Sequence, residues 1–77
     1  MEKVATMETE ALECWAKICG FSVAVHEGEL GCRADIKGLD GGTFEGVAKA
    51  RHGFTVEDTC RMAEEWIEEQ HAAQRYQ

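Results

Sequence analysis

The stretch from Thr55 to Gln74 sorts its residues by face more sharply than any other part of the chain. At about 100° per residue, Val56, Thr59, Cys60, Ala63, Trp66, Ile67 and Gln70 fall on one side of a helix. Glu57, Asp58, Glu64, Glu65, Glu68 and Glu69 fall on the other, with Arg61 the one base among them. Such a helix anchors a core with one side and presents carboxylates with the other. Thr55-Val56-Glu57-Asp58 reads as its start: a threonine N-cap, an acid at the third position and two acids on the positive end of the helix dipole. Glu68 and Glu69 approach the negative end, where carboxylates oppose the dipole at a cost of a few tenths of a kcal/mol each. That mildly unfavourable placement points to a role for the acids besides stability.

The rest of the chain has to supply the surface on which this helix lies. Met1 to Cys19 reads as a first helix, with Val4, Met7, Ala11, Cys14, Trp15 and Ile18 at helical spacing. Thr6 is a possible start, Glu13 and Lys17 an i,i+4 ion pair, and Gly20 the stop. From Phe21 the period changes to two. Phe21, Val23 and Val25 share a side, and so do Leu30, Cys32, Ala34 and Ile36, with Glu27-Gly28-Glu29 as the turn between the strands. Gly38 to Gly42 is a glycine-rich loop, and Thr43 to His52 a third strand. That strand is expected to turn Phe44, Gly46, Ala48 and Ala50 inward and Glu45, Val47, Lys49 and Arg51 outward. Gly53 closes it.

The order is helix, three antiparallel strands, helix: an α+β two-layer sandwich (αβββα) built as a single domain over residues 1–77. The expected core is Trp15, Ile18, Val23, Val25, Ile36, Phe44, Cys60, Ala63 and Ile67, with Trp66 at the edge of its stripe and partly exposed. Charge separates by layer. Residues 20–54 carry five acids and four bases, whereas the helical segments carry ten acids against four bases, so nearly all of the net −7 lies on the helices.

That charge narrows the function classes. A chain at −7 repels phosphate, which argues against direct binding to nucleic acid or to an anionic membrane surface. There is no apolar run near the roughly 20 residues of a membrane span, and the N-terminus is too acidic for a signal peptide, so a cytoplasmic protein, monomer or homodimer, is expected. Cys14, Cys19, Cys32 and Cys60 match no common disulfide framework, and reduced thiols are expected, with Cys14, Cys32 and Cys60 in the core. The cysteines and His26, His52 and His71 lack paired metal-ligand spacing, so no metal and no cofactor are expected. No strong signature of a cysteine nucleophile is present. Gly38 to Gly42 has no lysine or helix start after it and reads as a plain turn, not a phosphate cradle.

Helix–three strands–helix is also the order of double-stranded RNA-binding domains. Those place a lysine cluster at the start of the last helix, where this chain has Thr55-Val56-Glu57-Asp58-Thr59, which argues against RNA binding. The stretch from Thr43-Phe44-Glu45-Gly46 through Gly53-Phe54-Thr55-Val56-Glu57-Asp58 is similar to the end of HicB-like antitoxin domains. There a strand runs into Gly-x-Thr-x-Glu-Glu at the start of an amphipathic helix; Asp58 replaces the second Glu here. As a whole, this small acidic α+β chain resembles phage-encoded anti-CRISPR inhibitors, some of which use acidic surfaces to occupy nucleic-acid channels of effector proteins. That resemblance implies a non-enzymatic protein-binding inhibitor whose partner, a protein such as a CRISPR effector subunit, has a basic surface. Glu57, Asp58, Glu64, Glu65, Glu68 and Glu69 are the expected binding residues. The alternative is a HicB-like toxin-neutralising or regulatory domain.

Overall fold

The computed structural model of the protein describes residues 2–38 and 48–75, and side chains within these except for 48–50 and 73–75. In chain order the elements are β1 (Glu2–Lys3), α1 (Met7–Ile18), β2 (Phe21–Gly28), β3 (Gly31–Gly38), β4 (Ala48–Gly53) and α2 (Val56–Arg75). Both helices pack on one side of an antiparallel sheet of order β1-β2-β3-β4. The α+β class read from the sequence is the class observed. The expected positions of Phe44, Glu45, Gly46, Val47 and most of the glycine-rich loop lie outside the described residues.

The β2–β3 hairpin is the frame. Its register runs unbroken from Phe21↔Gly38 to Gly28↔Gly31, which leaves Glu29 and Leu30 as a two-residue turn. Leu30 therefore sits at the tip, fully exposed, and not on the inward side of a strand. Gly31 follows with φ +126°, a conformation side chains rarely adopt, and a Cβ there would stand 2.8 Å from the Gly53 carbonyl oxygen. Phe21, Val23, Val25, Cys32, Ala34 and Ile36 alternate into the core as their period-two pattern requires.

A fourth strand precedes the three expected. Glu2 and Lys3 pair with Glu27 and His26, and the Val4 N–H donates to the Val25 carbonyl at 2.8 Å. These residues do not extend α1, because the helix is capped at Thr6. Thr6 is extended (φ −120°), and its hydroxyl accepts from the Thr9 N–H while the Thr9 hydroxyl accepts from the Thr6 N–H. Two threonines thus make a reciprocal capping box that fixes the start at Met7. Gly20, at φ 92°, ends the helix as its position predicts.

The buried side of α1 is Thr9, Leu12 and Ala16, not the stripe expected from the sequence. Met7 and Ile18 are 88% and 85% exposed, Ala11 and Cys14 are exposed, and Trp15 is only half-buried. Thr9 can be buried because its hydroxyl also donates toward the Val4 and Thr6 carbonyls, so no polar group is stranded. Glu13 bonds electrostatically to Lys3 at 3.5 Å, in place of the expected pair with Lys17.

Helix α2 docks as its pattern predicts, with Cys60, Ala63 and Ile67 buried alongside Thr59. The Asp58 N–H donates to the Thr55 hydroxyl, which confirms the N-cap. Trp66 is 8% exposed and not partly open. Phe21 meets its ring edge-on at 5.5 Å, and the Arg51 guanidinium lies 5.5 Å from its centroid. Arg51 therefore faces the helices, opposite to the outward position expected. The register agrees: Arg51 pairs with buried Ala34, while positions 48 and 50 pair with Lys37 and Asp35. The parity of β4 is one residue out of step with the expectation because this register sets it, and Arg51 can face inward because the Trp66 ring receives its guanidinium in a cation–π contact. All four cysteines are free. Cys32 and Cys60 are buried as expected, and Cys14 is exposed because it lies on the outward side of α1.

Candidate functional site

The six expected site residues all lie on the first four turns of α2. Glu57, Glu64, Glu65, Glu68 and Glu69 are exposed and Asp58 is half-exposed. Helical geometry divides them into two rows, each spaced i, i+7, i+11. Glu57, Glu64 and Glu68 run along the flank beside α1; Asp58, Glu65 and Glu69 run along the other. Asp58 already accepts from Arg61 at 3.0 Å, an exposed pair worth a few tenths of a kcal/mol.

The first row borders a groove of about 470 Å³ between the helices. Leu12 and Cys60 form its floor, Ala11 and Trp15 one wall, and the carboxylates of Glu8, Glu57 and Glu64 its rim, together with Arg61. Two thiols report the field there. Burial pushes Cys60 up to about 11, reinforced by Glu8 and then by Cys32, Glu13 and Glu64. Cys19, at the far end of α1, is also raised, by burial and then by the charge of Glu68. Both stay protonated and poorly nucleophilic at neutral pH. The same contacts show that α1 and α2 lie side by side in the same direction, Glu8 by Glu57 and Cys19 by Glu68.

Glu8 and Leu12 were not legible as site residues. Glu8 looks like an ordinary first-turn acid until the buried side of α1 is known, and only then does it turn toward α2. Met7, Cys14 and Ile18 lie outside the groove and, with Ala11 at its wall, make an exposed apolar stripe along α1 that Trp15 borders. A second apolar surface gathers Leu30, Phe54 and Met62 around His52 and Arg61 at the hairpin end.

The sheet face away from the helices is of a different kind. Asp35 lies 3.5 Å from His26 Nδ1 and 3.1 Å from Arg33 Nε, and Lys37 is exposed nearby. His26, Arg33 and His52 stand opposite one another across three strands. Among the described residues, no group of three or more histidine, cysteine or acidic side chains is placed to hold a metal ion. No helix among them is long and apolar enough to cross a membrane. The arrangement on the helical layer can bind by combining apolar contact with negative charge. No protein-family model, curated protein or solved structure matches this chain.

Proposed function

We propose that the protein is a non-enzymatic binding module that docks its acidic helical layer on a basic protein surface. The setting proposed is cytoplasmic inhibition of a nucleic-acid-handling complex, in the manner of phage-encoded anti-CRISPR inhibitors. The observation that supports this reading most is the flank of α2, where Glu57, Glu64 and Glu68 stand in a row beside a groove that Glu8 also rims. Carboxylates stepped along a helix approximate a phosphate row, and an Arg/Lys-lined channel would meet them with fast, salt-dependent association. A HicB-like toxin-neutralising or regulatory role is the second reading. It is favoured by the way β4 runs through Gly53 and Thr55 directly into α2.

The test is capture of partners from host lysate by the wild type and by a variant with Glu64, Glu65, Glu68 and Glu69 all changed to Lys. The variant should keep its fold, since all four are exposed, and should lose the partner. Wild-type binding should weaken steeply between about 50 and 200 mM salt. Unchanged affinity in the variant would return α2 to the role of a solvated lid. Capture of a small ribonuclease-type toxin would favour the second reading.

A further inference from the structure

We infer that the outward side of α1 and the adjacent flank of α2 form one composite seat for a basic amphipathic helix of another protein. This rests on the binding reading above and specifies the element that the partner contributes. Met7, Ala11, Cys14 and Ile18 are spaced four, three and four residues apart, the a/d rhythm by which one helix seats another. The stripe is not a remnant of the core, because α1 already buries Thr9, Leu12 and Ala16 on its other side. A single exposed apolar residue is ordinary, but four in register over three turns make a contact surface. Trp15 borders the stripe, half-buried against the core, and offers the kind of aromatic anchor that dominates interface energetics.

Charge decides the occupant. Beyond Trp15 the surface turns acidic, first with Glu8 and then with Glu57, Glu64 and Glu68 running in the same direction as the stripe. A second copy of this chain would bring another net −7 against those carboxylates. A nucleic-acid strand would be repelled as well. A helix with apolar residues at its own a and d positions and Lys or Arg along one flank satisfies both halves of the seat.

The probe is a synthetic helix of about 18 residues, long enough to span α1, with Leu at a and d and Lys on one flank. A scrambled peptide of the same composition serves as control. Binding is read by titration calorimetry and by the fluorescence of Trp15, compared with a Trp15→Phe variant. The patterned peptide should bind saturably. Its affinity should fall on the order of tenfold or more for the scrambled peptide, for Ile18→Asp and for the fourfold Glu-to-Lys variant, all checked for fold by circular dichroism. Equal affinity for the scrambled peptide or for Ile18→Asp would overturn the inference and leave the charge-based reading standing. An effect of Ile18→Asp without any effect of the Glu-to-Lys variant would overturn both. Absence of saturable binding at about 100 µM also overturns it. So does a free protein that sediments as a dimer which Ile18→Asp dissociates, since the seat would then belong to a second copy.

Discussion

Gly53 shows how one residue can join two elements. A Cβ at this position would lie 2.6 Å from the Thr59 hydroxyl and 2.9 Å from the Thr59 backbone nitrogen. The first turn of α2 therefore packs directly on the end of β4, and the backbone atom cannot swing aside as a flexible side chain could. Gly53→Ala should cost about 1–3 kcal/mol, read as a lower urea midpoint at unchanged slope. The sequence marks Gly53 as a stop, but it carries no record of which atom approaches it. Cys60 makes a second residue-scale prediction. Its thiol ordinarily ionises near 9.0, and in the fold it is pushed up to about 11, mainly by burial. Below pH 9 both folded and unfolded chains keep the proton, and this contribution to stability is whole. As pH rises through 11 the unfolded thiol ionises first, and the contribution is lost. Urea midpoints measured across that window should fall more for the wild type than for Cys60→Ala.

The elements differ in how far their sequences specify them. In α2 the polar side is almost uniformly acidic, so only one set of residues can be buried, and the docked side follows directly. Ile67→Ala should accordingly cost about 2–4 kcal/mol, because its side chain is wholly enclosed. Ile18→Ala should stay within about 0.5 kcal/mol, because Ile18 is 85% exposed. Melting curves of the two variants separate them. Helix α1 offers two competing stripes, Met7-Ala11-Cys14-Ile18 and Thr9-Leu12-Ala16-Cys19. Periodicity ranks the more hydrophobic one first, whereas the fold chooses the other, whose threonine has its hydrogen bonds supplied by Val4 and Thr6. Leu30 is misplaced for a related reason: a hydrophobic residue at a hairpin tip looks like strand until the register is known. Strand β1 has only two residues, too short for any alternation to show.

For the whole molecule, the layer order and the concentration of acids on the helices can be read without coordinates. The groove cannot, since Glu8, Leu12, Cys60 and Glu64 become neighbours only once the rotation of both helices is fixed. The open sheet face is similar: Arg33 and Asp35 are visible in its alternation, but Arg51 belongs to the other side. One property of the architecture bears on time and not on binding. Spatial order in the sheet repeats chain order, and each described strand is antiparallel to its predecessor, so pairing can grow outward from the β2–β3 hairpin, with β1 joining β2 across helix α1. Short-range pairing lowers the entropy of loop closure that must be met before contacts form, and rates in mixed α/β domains rise accordingly. The chain has no proline, so no slow prolyl isomerisation can divide the unfolded population. Stopped-flow refolding followed by tryptophan fluorescence should therefore be a single exponential, complete within about a second, with no phase lasting tens of seconds.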